Sequence, residues 1–431
     1  EFIRLDDEIN EVAFIPDEFL TCIPQSAPQQ RQSIMEQLTE YAAPAESEQM
    51  AYGLRMVDDY CTLFSALRLG NTEFLLAKIA KPSFYWRLLR ALGDDLNLIG
   101  KDGLPTDIAR AFLEQPKSES AVWLIKNWAN TRAFNELRLT PALRCEGTWQ
   151  NEPLPVRRQL LAWLKDLKVG IWYRLSDFVI AVEKNDPDFL RLGADYDVWM
   201  IYDRATSELL RGIKSWHRVE AAFLRFMITQ WMAWLGLVYT FVVPSGEETF
   251  FTLTPLFAKS FIESEQNETC QEQDVEEPLE VKPNGLILMS DKNPAIARYQ
   301  IARFAEWVET GPTRYSYQLT PQSLSNAAKA GLTIRHLLGL LRKYGRSVPP
   351  PSLQKALNRW QTEGGEAKIE RLSVLRLKSP EILQALKKSD AKVWLGDSLG
   401  PVAVIVKAGG LERVQETLAR LGYLSDYALD D

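Results

Sequence analysis

Through the N-terminal half of the chain, apolar positions recur every three to four residues, the spacing that lines one face of an α-helix. Leu63, Leu67 and Leu69 lead into Phe84-Tyr85-Trp86-Arg87-Leu88-Leu89, and Val122-Trp123-Leu124-Ile125 leads into Trp128. Aromatic stripes at this spacing predict buried helix faces. Breaks near Gly93, Gly103 to Pro105, Pro116 and Pro141 separate them. From Pro155 the pattern predicts a helix over 156–166, a second over 177–184 capped by Ser176, and a third over 216–235. Two β-like runs at 237–243 and 249–253, joined by Pro244-Ser245-Gly246-Glu247, predict a hairpin. Ala221 to Val243 is about the length of a membrane span, but Arg225, Gln230 and Gly236 interrupt it, so it reads as a buried helix entering a strand and no membrane partner is expected.

Beyond residue 280 the pattern alternates. Leu286–Met289 predicts a strand, Ala295–Val308 a helix and Tyr315–Leu319 a strand that ends at Thr320-Pro321, a cap followed by proline at the first helical position. Helices follow over 321–330, 334–344 (capped by Thr333) and 351–362. Ile369–Leu377 predicts a strand, Ser379-Pro380-Glu381 opens a helix, and Val402–Val406 precedes a closing helix over 411–421. The expected fold is α+β, predominantly α. Residues 1–150 form a helical region. Residues 151–262 form a winged-helix module, since three helices and a hairpin follow in that order, although some 30 residues between the second and third helices exceed the usual turn. A linker is expected at 263–284, because 263–280 holds eight carboxylates and no Lys or Arg. A small mixed sheet with helices is expected at 285–431.

Composition narrows the chemistry. The 431 residues include four cysteines, Cys22, Cys61, Cys145 and Cys270, without a CxxC pair, and two histidines, His217 and His336. Reduced thiols are expected, with no disulfide framework, no metal and no cofactor. No GxxxxGK[ST] is present, the sequence at Gly100-Lys101-Asp102 lacking the phosphate cradle, and GxGxxG, HExxH and GxSxG are absent as well. Carboxylate pairs such as Asp58-Asp59 are assigned to helix surfaces. The expectation is therefore a protein that is not an enzyme and takes no small-molecule substrate. Glu1-Phe2-Ile3-Arg4 is neither a basic nor an apolar leader, which places the expected location in the cytoplasm.

Charge is distributed unevenly. Of 50 Lys+Arg and 57 Asp+Glu, residues 314–407 take 16 and 6, so this stretch carries +10 and the remainder −17. Between Arg314 and Gln361 lie eight basic residues and no carboxylate. Such a surface meets phosphates or an acidic protein, the alternative being that it is solvated or docks on the chain's own acidic half. Arg335, Arg342, Lys343, Arg346, Lys355 and Arg359 are the contact candidates, with Lys214 and Arg218 at the third predicted helix. Glu247 and Glu248 at the hairpin tip oppose minor-groove reading by that module. His217 and His336 are expected to cap helices or make contacts.

Within residues 314–362, Tyr317-x-Leu319-Thr320 is followed by Ser323-Leu324, Ala330-Gly331-Leu332 and then Val348-Pro349 opening a helix that runs to Trp360. This string resembles the N-terminal domain of the XPB helicase. With Asp291-x-x-Pro294 and the final strand, glycine and helix at 402–421, residues 285–425 are similar to the clutch subunit of the transcription and repair factor TFIIH, as is the order of modules. The resemblance implies a domain that pairs with an equivalent domain on a partner ATPase and holds or stimulates it on DNA. In that reading Tyr317, Leu319, Thr320, Leu324, Gly331, Pro349 and Trp360 pack and cap, while the basic residues make contacts. A self-sufficient DNA-binding protein of regulatory type is the alternative.

Overall fold

The computed structural model describes residues 2–5, 11–14, 27–43, 52–70, 72–77, 81–191, 196–243, 246, 248–263, 276–311, 313–364 and 372–426. Among them the fold is α+β and predominantly helical. The chain forms two compact units, Glu1–Gln361 and Thr362–Asp431. The division therefore falls after the basic segment and not after the acidic run.

In the first unit, helices Tyr52–Leu69, Ser83–Asp95 and Lys117–Asn130 bury the apolar faces that their spacing predicts, except that Leu69 at the end of the first is exposed, and helix Asp107–Glu114 joins them. Tyr85, Trp86, Leu88, Leu89 and Trp128 all lie in one core, as expected of the aromatic stripe. The 151–262 region joins the same core. Its order is helix Pro153–Lys165, strand Trp172–Arg174, helix Leu175–Asn185, helix Trp216–Phe226 and hairpin Val238–Val242 with Thr249–Leu253. Trp172–Arg174 adds a third strand beside Thr249–Leu253. That strand runs straight into its helix, so Arg174 holds the capping position and Ser176 lies within the first turn, contrary to the predicted cap. The long gap before Trp216 contains strand Met200–Asp203, paired with Leu143–Glu146. The apolar run of 221–243 divides into an α-helix, a π-helical stretch at Met227–Met232 and a strand. Among the described residues no helix is long and apolar enough to cross a membrane.

The rest of the first unit is an antiparallel sheet ordered Glu306–Thr310, Arg314–Gln318, Leu286–Ser290, Glu280–Val281, with helices Ala295–Ala302, Pro321–Lys329, Ile334–Tyr344 and Pro351–Glu363. Two expectations change here. The helix predicted to reach Val308 ends at Ala302, because Glu306–Thr310 pairs with Arg314–Gln318. Glu280–Val281, placed in the linker by their sequence, form an edge strand of this sheet, and Leu279 before them bridges to Gly345. Leu279 is buried, its N–H donates to the Tyr344 carbonyl at 2.9 Å, and its carbonyl accepts from Arg346 N–H at 3.0 Å. Residues 264–275 of the acidic run lie outside the described residues.

The second unit has its own small core. Strands Ser373–Arg376, Ala403–Val406 and Leu395–Gly400 form an antiparallel sheet with Ala403–Val406 in the middle. Helices Pro380–Lys387 and Leu411–Arg420 contribute Leu383, Leu386, Val414 and Leu418 against Val404 and Val406.

Candidate nucleic-acid and partner interface

The basic segment is built from locally encoded helices. Thr320 and Thr333 each start one with a reciprocal capping box: Thr320 Oγ1 accepts from Ser323 N–H at 3.0 Å, and Thr333 Oγ1 accepts from His336 N–H at 3.3 Å. His336 returns the bond, its Nδ1 accepting from Thr333 N–H at 3.3 Å, which gives it the structural role expected of it. After Lys329 the chain stops in a Schellman turn at Ala330-Gly331-Leu332. Gly331 takes φ +77°, and Leu332 N–H donates back to the Ala327 carbonyl at 3.0 Å.

The Ile334–Tyr344 helix buries Ile334, Leu337 and Leu341, leaving Arg335, Gly339, Arg342 and Lys343 outside. Arg346, Lys355 and Arg359 are exposed as well. Among the described residues, Arg335, Arg342, Arg346 and Lys355 take part in no ion pair. Lys343 lies 4.7 Å from the Tyr344 ring. These six candidates thus come from two consecutive helices and the loop between them, all facing water.

Residues 291–298, which precede the basic segment, are fastened to the N-terminal helices by a buried polar cluster. Lys117 Nζ donates to both carboxylate oxygens of Asp58 at 2.8 Å and also to the Asp291 carbonyl. Arg298 donates from Nη1 to Thr62 Oγ1 at 2.8 Å and from Nη2 to the Asp58 carbonyl, and its guanidinium lies 4.0 Å from the Tyr315 ring. Asp58, Lys117 and Arg298 are all buried. Burial pushes the Asp58 carboxyl up from its usual range, opposed by the charges of Lys117 and Arg298. The sequence reading placed Asp58 and Asp59 on a helix surface. Instead Asp58 fastens residues 291–298, and Asp59 accepts from Lys81 and from the Tyr85 hydroxyl. The Asp58 cluster was missed because its members are separated by up to 240 positions and no local spacing marks them.

Lys214 and Arg218 belong to another part of the unit, at the start of the Trp216–Phe226 helix. Lys214 is exposed. Arg218 is engaged internally, bridging Asp203 at 3.0 Å and Glu208 at 2.6 Å. His217 Nε2 meets Glu183 at 3.1 Å, and the buried side chains Trp216, Val219, Glu220, Phe223 and Leu224 turn most of this helix inward. A reading helix needs several free side chains on one face, and here two of the polar ones already have partners. Glu248 near the hairpin tip bridges Arg174 at 3.4 Å, while Glu247 lies outside the described residues.

Cys61 and Cys145 are free thiols, pushed up to about 11 by burial, so neither is an activated nucleophile. Cys22 and Cys270 lie outside the described residues. No group of three His, Cys, Asp or Glu side chains among the described residues stands close enough to hold a metal.

Residues 279–396 match the family described as Helicase conserved C-terminal domain. The match opens at Leu279, the residue that anchors the edge strand, and runs through the basic helices to Gly396 in the second unit. No curated protein matches the chain. Residues 279–396 thus carry a helicase-related C-terminal domain.

Proposed function

We propose that this chain is a non-enzymatic accessory protein that binds an XPB-like helicase or related ATPase through residues 285–425 and assists it on DNA, in repair or transcription, within the cytoplasm. The observation that carries the reading is a helicase-related domain at 279–396 in a sequence without a P-loop. The sheet inside the matched segment supports it: Glu306–Thr310, Arg314–Gln318, Leu286–Ser290 and Glu280–Val281 are all antiparallel. P-loop motors instead hold nucleotide at the ends of parallel strands. We read the three-stranded sheet with helices Pro153–Lys165, Leu175–Asn185 and Trp216–Phe226 as a winged-helix module with its third helix turned to the core. In the second unit Val374 pairs with Ile405 on the sheet face away from the buried Val404 and Val406, which suits a protein partner.

The test is a pull-down of an XPB-like helicase with the purified chain, followed by the helicase's ATPase rate with and without it. A complex and a raised rate are expected. No complex at micromolar concentration would end the proposal, as would nucleotide hydrolysis by the chain alone.

A further inference from the structure

We infer that the outer face of the Ile334–Tyr344 helix, with Arg346 and Lys355, is a binding site for the phosphate backbone of duplex DNA, and that Gly339 is the point where that backbone comes closest. The argument begins with a glycine that the fold does not require. Gly339 stands in the middle of the helix on its exposed face, where glycine is destabilising relative to alanine by roughly 0.5–1 kcal/mol. A Cβ added there would meet nothing within 4 Å. Gly345, six residues on, is the opposite case. There a Cβ would lie 2.3 Å from the Leu341 carbonyl oxygen, at the turn where Leu279 pairs with the chain. Packing explains Gly345 and leaves Gly339 unexplained.

The neighbours of Gly339 supply the explanation. Arg335 stands four residues before it and Arg342 three after, so all three share one stripe of the helix. Both arginines are exposed and in no ion pair among the described residues, and Arg346 and Lys355 share these properties. The segment from Arg314 to Gln361 contains no carboxylate of its own, and Glu280, whose charge reaches Arg346 from outside it, is itself paired with Lys282. At ~1.5 Å per residue, Arg335 and Arg342 are about 10 Å apart along the helix axis, roughly three base-pair rises of a duplex. A missing side chain between two guanidinium groups lets a sugar-phosphate chain lie against the helix backbone.

The same face argues for a duplex over a single strand. Unpaired bases are held by stacking on exposed aromatic rings. Here Val348 is the large apolar side chain that is exposed between 321 and 361, whereas Tyr344 and Trp360 pack partly against the core. The face offers positive charge and close approach without stacking platforms, which is sequence-independent backbone recognition.

The full chain, with no ATPase present, is titrated into a fluorescent duplex of arbitrary sequence, and anisotropy is read from 50 to 200 mM salt. Binding is expected to weaken about a hundredfold over that range, as release of counterions from about four phosphates requires. The triple variant R335E/R342E/R346E should bind at least tenfold more weakly, while K387E/K388E/K392E, with the same change in net charge, should bind like the parent. Gly339→Ala should raise the thermal midpoint of the protein and yet weaken duplex binding, and Gly339→Leu should weaken it further. Absence of salt-dependent binding, equal losses for the two triple variants, or parental affinity in Gly339→Leu would overturn the inference. Tighter binding of a single strand, or equal competition by poly-glutamate, would overturn it in favour of another occupant. Since no helicase takes part, failure here leaves the docking proposal standing, and failure of the pull-down leaves this one standing.

Discussion

Glu220 and Arg191 show how much a single buried pair weighs on this fold. Both side chains are fully buried, and Arg191 Nε lies 2.6 Å from Glu220 Oε1. The contact is poorly aligned: neither carboxylate oxygen has a hydrogen-bond partner. Burial therefore dominates and pushes the Glu220 carboxyl up to about 7, with Arg191 pulling the other way. The folded chain holds this proton more tightly than the unfolded chain does. Its contribution to stability is complete below the ordinary glutamate value of 4.5 and is lost as pH rises to about 7. We expect that loss to be on the order of 3 kcal/mol. Urea unfolding from pH 4.5 to 7.5 should show a falling free energy whose slope flattens by up to one proton in Glu220→Gln. An identical slope in the variant would refute the assignment. Arg157 and Glu136 are the aligned counterpart. The two form a bidentate pair at 2.7 and 2.9 Å, with Trp128 Nε1 donating to Glu136 Oε1 at 2.8 Å, so both carboxylate oxygens are satisfied.

At the scale of elements, local motifs proved the most legible. Thr320-Pro321, Thr333 and Ala330-Gly331-Leu332 each complete their hydrogen bonds within a few residues, so the ends of two helices could be placed from spacing alone. Strands were harder. Trp172–Arg174 and Glu306–Thr310 are short segments whose state is decided by partners elsewhere, at Phe250–Thr252 and Arg314–Gln318. The edge strand Glu280–Val281 is the clearest case, since its charge pattern reads as solvated while Leu279 draws it into the fold. Leu279→Ala should cost roughly 2–5 kcal/mol in chemical denaturation, the range for truncating a buried leucine. A change within 0.5 kcal/mol, the range for a solvated linker position, would return Leu279 to the linker.

For the whole molecule, the decisive feature is where the cores divide. The Asp58, Lys117 and Arg298 cluster ties residues 291–298 to the N-terminal helices, whereas Leu383, Leu386, Val404 and Val406 close a core within Thr362–Asp431. Calorimetry should therefore resolve two transitions. Arg298→Ala leaves buried Asp58 short of one countercharge and should lower the larger transition by about 3–5 kcal/mol. Leu386→Ala should lower only the smaller one. A single transition shifted by both variants would mean that the cores are one cooperative unit.

The sequence alone determined the predominance of helix, the aromatic core faces, the capped helices of the basic segment and its exceptional charge, because each depends on residues within a turn or two of one another. Tertiary structure alone decided that the acidic run ends in a sheet, that Arg218 is occupied while Arg342 and Arg346 are open, and that the helicase-related segment is fastened to the N-terminal helices through Asp58. Those outcomes depend on pairings across tens to hundreds of residues, where burial makes a charge seek one specific partner and no local spacing records which.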